Sequence, residues 1–241
     1  MTGRNDERDD EATMSDLVPV ITVDGPSGSG KGTLAVLIAR KLGWHLLDSG
    51  ALYRVVAAAA LDRSVDIRSS ANLLPMIDGL SIIFRDDALT VDGLEYSRRI
   101  REEDVSAAAS VVAAYPEVRH AVLSMQLAMR KQPGLVADGR DMGTVVFPDA
   151  PLKIYLDASL EARALRRYSQ LIGKGLPATL PALLASLRER DERDKGRAVS
   201  PLKPAPDAFV IDSTTLSIDA VLALALQRAS AIGLIGSANI N

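Results

Sequence analysis

Residues 18–33 read VPVITVDGPSGSGKGT and join a short apolar run to a glycine-rich loop. The apolar run, 18–23, predicts a buried strand that ends at the Gly25-Pro26 turn. After the loop, apolar residues recur at helical spacing, at Leu34, Leu37, Ile38 and Leu42. Gly43 is expected to end this helix. The glycine-rich loop therefore lies between a strand and the N-terminus of a helix.

This layout is typical of a phosphate-binding loop. Glycines let successive backbone N–H groups turn toward an anion at a helix N-terminus. Lys31 can reach the outer phosphates of a nucleotide and offset their charge during transfer. A tight turn with a solvated lysine is the alternative, but strand, loop and helix all favour phosphate binding. The residues predicted to bind nucleotide phosphates are Gly25, Pro26, Ser27, Gly28, Ser29, Gly30, Lys31, Gly32 and Thr33.

The loop departs from the general pattern at one position. Gly32 stands where a serine or threonine usually follows the lysine, and the hydroxyl comes one residue later, at Thr33. Glycine at this point resembles the loop of nucleoside-monophosphate kinases. No residue is therefore assigned as a metal ligand, direct binding of Mg²⁺ by a loop hydroxyl stays open, and phosphate oxygens and water are expected to hold most of the ion. A dinucleotide-binding fold is disfavoured, because the third glycine of its pattern is missing.

The remaining pattern predicts a parallel α/β sheet. Short apolar runs typical of buried strands occur at 44–47, 135–137, 152–156 and 209–211. A helix is predicted over 51–61, a small hairpin over 81–84 and 88–91, and a closing helix over 220–232. Strand, loop, helix and strand in this order begin a parallel sheet.

The composition of the 241-residue chain is that of an ordinary globular protein, with 47% hydrophobic and 24% charged residues. The net charge of −3 gives no basic field that would indicate a nucleic-acid partner. The absence of cysteine excludes a disulfide framework and a cysteine nucleophile, and fits a reducing cytoplasm. Neither a membrane-length apolar run nor a signal peptide is recognisable. We therefore expect a cytoplasmic monomer.

Residues 1–16 are expected to form a disordered tail. They contain the charged stretch RNDERDDE and few apolar residues to bury. Met14 directly precedes the first predicted strand, so either Met1 or Met14 is expected to be the natural start.

Basic residues follow the predicted strands and recur near the C-terminus. Arg54 follows the second strand, Arg140 follows the third in DGRD, and 188–198 reads RERDERDKGRA. Such a charged helix is usually a solvated face. Beside a phosphate loop, arginines are more readily explained as donors that offset the repulsion between two phosphorylated substrates. Arg119 lies in a helical stretch, and its local sequence alone indicates a surface residue.

Four stretches together resemble the bacterial cytidylate kinase family. They are GPSGSGKGT (25–33), LLDSGALYR (46–54), ADGRDMGTVVFPDAP (137–151) and RERDERDKGRA (188–198), with DSTTLS (212–217) extending the similarity toward the last helix. The resemblance implies an α/β P-loop fold of three layers with a five-stranded parallel sheet. It implies one kinase domain over 17–241: a CORE of about 17–48, 120–162 and 204–241, an NMP-binding part of about 49–119, and a LID of about 163–203.

The same resemblance implies transfer of phosphate from ATP, with Mg²⁺, to CMP or dCMP. By similarity, Arg166 stacks near adenine and completes the ATP-binding set with the loop. The implied CMP-binding residues are Ser110, Arg119 and Asp141 at the base, Ser49, Arg190 and Asp194 at the sugar, and Arg54, Arg140 and Arg197 at the phosphate. Lys31, Arg140, Arg190 and Arg197 are implied to be catalytic.

The implied chemistry agrees with elementary arguments. Asp141 can accept from the amino group of cytosine, whereas uracil presents a carbonyl there, so an acidic acceptor favours C over U. The acceptor phosphate is already anionic, so catalysis is expected to depend on positioning and charge stabilisation, with LID closure excluding water. His45 and His120 are therefore expected to be non-catalytic.

Two alternatives stay open at this stage. A P-loop kinase for another monophosphate or a coenzyme precursor would share the loop and the arginines. A non-catalytic nucleotide switch is the more distant alternative, and the chain lacks the Asn-Lys-x-Asp signature of a GTPase.

Overall fold

The structure is a computed structural model that describes residues 17–85 and 88–236. The predicted tail at 1–16 lies outside these residues. In chain order the elements are β1 (Val20–Asp24), α1 (Lys31–Leu42), β2 (His45–Asp48), α2 (Ser49–Asp62), α3 (Ser70–Asp78), β3 (Ile82–Arg85), β4 (Ala88–Val91), β5 (Leu94–Glu95), α4 (Glu103–Val112), α5 (Pro116–Leu127), β6 (Leu135–Gly139), β7 (Leu152–Asp157), α6 (Leu160–Gly173), α7 (Leu180–Lys195), β8 (Phe209–Asp212) and α8 (Ile218–Ala231). A 3₁₀ turn, Arg99–Arg101, precedes α4, and a π-helical turn, Met142–Val146, follows β6.

The centre of the fold is a five-stranded parallel sheet in the order β2-β6-β1-β7-β8. All five predicted core strands are present, and the fold is the predicted α/β P-loop architecture. β1 is buried along its whole length, as its uninterrupted apolar run predicts for a strand covered on both faces. Helices α1 and α8 pack together on one side of the sheet. On the other side, α2 contacts β6, and α5 packs into the same apolar cluster. Gly43 ends α1 with φ 65°, as predicted.

The segment between β2 and β6 forms a separate helical layer with a small sheet. Strands β3, β4 and β5 are antiparallel in that order, which confirms the predicted hairpin and adds a third strand. The alanine run 57–60 of α2 is completely buried. These small side chains let α4 approach α2 closely. The layer shares one apolar cluster with strands β1, β2 and β6.

Helices α6 and α7 pack on each other above the carboxyl ends of the strands. Ser159 begins α6 by accepting the N–H of Ala162 at 3.2 Å. Half of the residues of α7 are exposed, whereas Arg163 of α6 is only 4% exposed. Among the described residues, no helix is long and apolar enough to span a membrane.

Candidate active site

An aspartate stands at or next to the end of every strand of the central sheet. They are Asp24, Asp48, Asp138, Asp157 and Asp212. Because the strands are parallel, their carboxyl ends share one edge, where ligands of open α/β sheets bind. Three of the five, Asp24, Asp48 and Asp138, come from adjacent strands around the glycine-rich loop.

The loop between β1 and α1 has the backbone of an anion cradle. Gly25, Gly28 and Gly30 have φ angles of 153°, 80° and 97°, which side chains rarely adopt. A Cβ added to Gly25 would lie 2.1 Å from the carbonyl oxygen of Leu156. Glycine is therefore required there for the loop to pack against β7.

Lys31 lies in the first turn of α1 beside Asp138. Its Nζ donates to the carbonyl oxygen of Pro26 at 3.4 Å and lies 3.9 Å from Asp138 Oδ1. Burial lowers the pKa of Lys31 to about 8, and the positive charge of Arg140 acts in the same direction. Burial likewise raises the pKa of Asp138 to about 6, against the opposing effect of Lys31. The two groups form a desolvated pair at the bottom of the site.

A cleft of about 270 Å³ opens from this pair between the sheet edge, α4 and α7. Its lining includes Ser27, Gly28 and Gly32 of the loop beside Lys31. Every residue predicted to bind CMP also lines it: Ser49, Arg54, Ser110, Arg119, Arg140, Asp141, Arg190, Asp194 and Arg197. These nine residues come from separate stretches of sequence, so it is the fold that brings them together.

Positive charge is concentrated at the middle of the cleft. Asp194 is buried and accepts from Arg140 Nε at 3.0 Å and also pairs with Arg197. Burial opposes ionisation of Asp194, but Arg140 and Arg197 hold its pKa below the usual range. Burial lowers the pKa of Arg190 to about 10, and Arg140 acts in the same direction. One carboxylate therefore orients two guanidiniums, and the remaining positive charge faces the cleft.

The far end of the cleft contains a buried ion pair. Arg119 pairs with Asp141, and its Nη1 donates to the carbonyl oxygen of Ala113 at 3.2 Å. The guanidinium also lies 5.5 Å from the centre of the Tyr53 ring, within cation–π distance. The surface position that local sequence indicated for Arg119 is wrong: 8% of this residue is exposed, because α5 points it into the cleft.

Ser49 is held by a residue that sequence reasoning missed. Gln126 is 1% exposed, and its Nε2 donates to Ser49 Oγ at 2.8 Å across 77 residues of sequence. A lone glutamine in a helix carries no sequence signal for such a role. The adjacent Asp48 caps α2 by accepting the N–H of Ala51 at 2.9 Å and pairs with Arg54 at 2.6 Å.

Helices α6 and α7 reach across the cleft to both sides. Arg163 donates to the carbonyl oxygen of Ser27 in the loop at 3.1 Å and pairs with Asp191 of α7 at 2.6 Å. On the opposite side, three contacts follow one face of α4. They are Arg167 with Glu103 at 2.7 Å, Arg190 with Ser106 at 3.4 Å, and Arg193 with Ser110 at 2.8 Å.

Some predicted ATP-binding residues lie outside this cleft. They are Gly25, Pro26, Ser29, Gly30, Thr33 and Arg166. Arg166 instead donates to the carbonyl oxygen of Ser29 at 3.1 Å and to Ser213 Oγ at 3.1 Å, which places it on the outer side of the loop. Thr33 is exposed. His45 and His120 are both exposed and do not line the cleft.

A phosphate loop on a five-stranded parallel sheet, with an arginine-lined cleft under two bridging helices, defines a P-loop kinase of small phosphorylated substrates. The cytidylate kinase family model matches residues 21–231. The cytidylate kinase of Aeromonas hydrophila is 56% identical over 220 residues, which cover 90% of this chain and 96% of that protein. That of Escherichia coli O1:K1 is 55% identical, with 90% and 97% covered. The chain belongs to the cytidylate kinase family.

Similarity to solved structures is weaker. The crystal structure of TT1252 from Thermus thermophilus aligns over 92% of this chain and 100% of that chain, at 21% identity and a TM-score of 0.46.

Proposed function

We propose that the basic cleft is where this protein transfers the terminal phosphoryl group of ATP to CMP or dCMP. As a member of the cytidylate kinase family, the chain is an ATP-dependent phosphotransferase that converts CMP and dCMP to the diphosphates in pyrimidine nucleotide metabolism. The observation that carries the site assignment is the convergence of nine predicted CMP-binding side chains and Lys31 on one cleft.

The loop and Lys31 bind the donor in this proposal. Backbone N–H groups of Gly25–Thr33 would surround the ATP phosphates, with Arg166 beside the loop on the adenine side. Lys31, Arg140, Arg190 and Arg197 stabilise the charge on the transferring group. Lys31, Arg190 and Arg197 are largely desolvated, which supports this role, since charges act more strongly where water is excluded.

The acceptor occupies the remainder of the cleft. Asp141, held by Arg119, accepts from the cytosine amino group, and Ser110 lies at the same end of the cleft. Ser49, Arg190 and Asp194 bind the sugar, and Arg54, Arg140 and Arg197 bind the acceptor phosphate. Because that phosphate is anionic at neutral pH, no general base is needed, and the residues act by orientation and charge.

A divalent metal accompanies ATP in this class of kinase, and we propose Mg²⁺. Asp138 Oδ1 is buried at the cleft without a hydrogen-bond partner among the described residues, which fits a hydrated cation nearby. Asp138 would hold the ion through water, together with phosphate oxygens. When bound, Mg²⁺ neutralises charge on the outer phosphates. Among the described residues, no group of three or more His, Cys, Asp or Glu side chains could hold a metal ion.

We further propose the three-part organisation of CORE, NMP-binding part and LID with the boundaries given above. The contacts of α6 and α7 with the loop and with α4 support a LID that closes over both substrates. We also propose that the enzyme acts as a monomer. We expect the enzyme in the cytoplasm, with nucleotides rather than nucleic acid as partners.

The test is ADP formation from ATP and Mg²⁺ with CMP, dCMP, UMP, AMP and GMP supplied separately. Turnover with CMP and dCMP well above the rest is expected, together with loss of turnover when the metal is chelated. Preference for another acceptor would discard the roles given to Asp141 and Ser110. Absence of any acceptor-dependent ADP would discard the cleft as a transfer site.

A further inference from the structure

Asp24 accepts hydrogen bonds that have no part in the function proposed above. It is the last residue of β1, directly before Gly25 of the phosphate loop, and 5% of it is exposed. Its two carboxylate oxygens accept the backbone N–H groups of Met142 at 2.9 Å and Gly143 at 2.8 Å. Asp24 itself does not line the cleft, so it can act on a substrate only through other residues.

The two donors begin the π-helical turn that follows the pair Arg140-Asp141. The first N–H groups of a helical turn lack partners within the turn, and here a carboxylate from the neighbouring strand accepts them. β1 and β6 pair in register, with Asp24 opposite Gly139. The segment 140–141 is thus fixed on one side by β6 and on the other by Asp24.

Close packing against the same strand supports this arrangement. Thr22 and Asp24 are two residues apart and point to the same face of β1. A Cβ added to Gly143 would lie 2.7 Å from Thr22 Oγ1, so the turn is seated directly on the strand. π-Helical turns are rare and are frequent at functional sites.

We infer that Asp24 is a positioning residue that sets Arg140 and Asp141 relative to the phosphate loop. The end of β1 is joined directly to the donor-binding loop at Gly25. The Asp24 carboxylate at the same strand end also positions the residues that are proposed to bind the acceptor. Displacement of this turn would move Asp141 away from the base and Arg140 away from the acceptor phosphate at the same time. The inference rests on the proposed roles of Asp141 and Arg140 in acceptor binding.

The test uses Asp24→Asn, which keeps the size of the side chain but replaces one acceptor oxygen by an NH₂ group. Only one of the two N–H donors can then be accepted, so the turn must shift. We expect the ratio of kcat/KM for CMP to kcat/KM for UMP to fall about tenfold, because misplacement by a fraction of an ångström weakens oriented contacts. KM for CMP should rise, whereas KM for ATP should stay within about twofold, since the loop glycines are unchanged.

Asp157→Asn is the matched control. Asp157 ends the adjacent strand β7 and is exposed, and it accepts the N–H of Ala158 at 2.9 Å rather than any residue of the cleft. The same substitution there should leave the CMP-to-UMP ratio unchanged. Asp24→Glu is a second variant that retains the charge but displaces the turn, and it should lower the ratio as Asp24→Asn does.

A double-mutant cycle separates positioning from general stabilisation of the sheet. If Asp24 acts through Asp141, Asp24→Asn should change the ratio little further once Asp141→Ala is present. Equal effects of Asp24→Asn on CMP and UMP, full additivity in the cycle, or loss of cooperative melting in both Asp24 variants would overturn the inference. Those results leave the proposed function standing, whereas failure of the wild-type protein to use CMP would remove it.

Discussion

Arg119 and Asp141 form a buried ion pair that joins α5 to the segment after β6, across 22 residues of sequence. The exposed fractions of their side chains are 8% and 3%. Arg119 pairs with one side of the carboxylate, and both residues line the cleft. In the proposed site, a carboxylate at this position accepts from the cytosine amino group and disfavours the uracil carbonyl.

Asp141→Ala is expected to abolish most of the preference for CMP over UMP. The amino group of cytosine loses its acceptor, and the penalty against uracil disappears, so the ratio of the two kcat/KM values should fall at least about tenfold. Steady-state kinetics with both nucleotides measures this ratio. An unchanged ratio would refute the base-reading role of Asp141.

Removal of the buried Asp141 carboxylate should destabilise the protein more than removal of an exposed carboxylate that is also paired. Asp141→Ala leaves the Arg119 charge buried without its partner and should lower the free energy of unfolding by about 3–5 kcal/mol. Asp149→Ala removes an exposed carboxylate that pairs with Arg130 at 2.7 Å, and should cost about 0–1 kcal/mol. Urea unfolding of the two variants measures both values. Equal losses would contradict the buried character of the pair.

Lys31→Met is expected to lower kcat by about 10²–10³, since it removes a desolvated charge from the transferring group. The folded state should survive, because the methionine side chain fits a buried first turn and an unfavourable buried charge is lost. Lys131→Met, at an exposed lysine outside the cleft, is the matched control and should keep wild-type kcat. A Lys31 variant with normal kcat would place the transferring phosphate elsewhere.

Gln126→Leu is expected to raise KM for CMP about fivefold while KM for ATP and the melting curve change little. The expected rise corresponds to one hydrogen bond of ~1 kcal/mol, because Ser49 loses the donor that orients its hydroxyl. Gln227→Leu on the exposed face of α8 is the control. A fall in kcat with all acceptors at unchanged KM would indicate that Gln126 does not act through Ser49.

The raised pKa of Asp24 predicts that the stability of the protein depends on pH. Burial raises its pKa to about 7, although the N–H groups of Gly143 and Met142 act in the opposite direction. The folded protein therefore takes up a proton near pH 7, whereas the unfolded chain does so near 3.8. The contribution of this group to stability is present below about pH 4 and is lost as the pH rises through 7. Asp24→Asn removes this dependence, so its melting temperature relative to wild type should rise between pH 5 and 8 in matched buffers; a constant difference would contradict the raised pKa.

Local patterns predicted much of the fold. The strands and α1 came from apolar runs, helical periodicity and glycine stops, which depend on a few consecutive residues. The predicted core strands match β1, β2, β6, β7 and β8, with ends that differ by at most two residues. Arg119 was misplaced on the surface by the same local reasoning, because the face of a helix that is buried depends on what packs against it. The resemblance to known sequences, rather than periodicity, assigned it to the site.

The sequence by itself determined the phosphate loop, the parallel sheet and the family, because each depends on contiguous residues whose spacing is imposed by backbone geometry. Only the tertiary structure decided which distant groups support that loop and its substrates. The pairings of Asp24 with Met142, Gln126 with Ser49, and Arg163 with Ser27 span 118, 77 and 136 residues. They exist because parallel strands bring their carboxyl ends to one edge, where burial favours the pairing of polar groups, and no local pattern encodes which partner each group has.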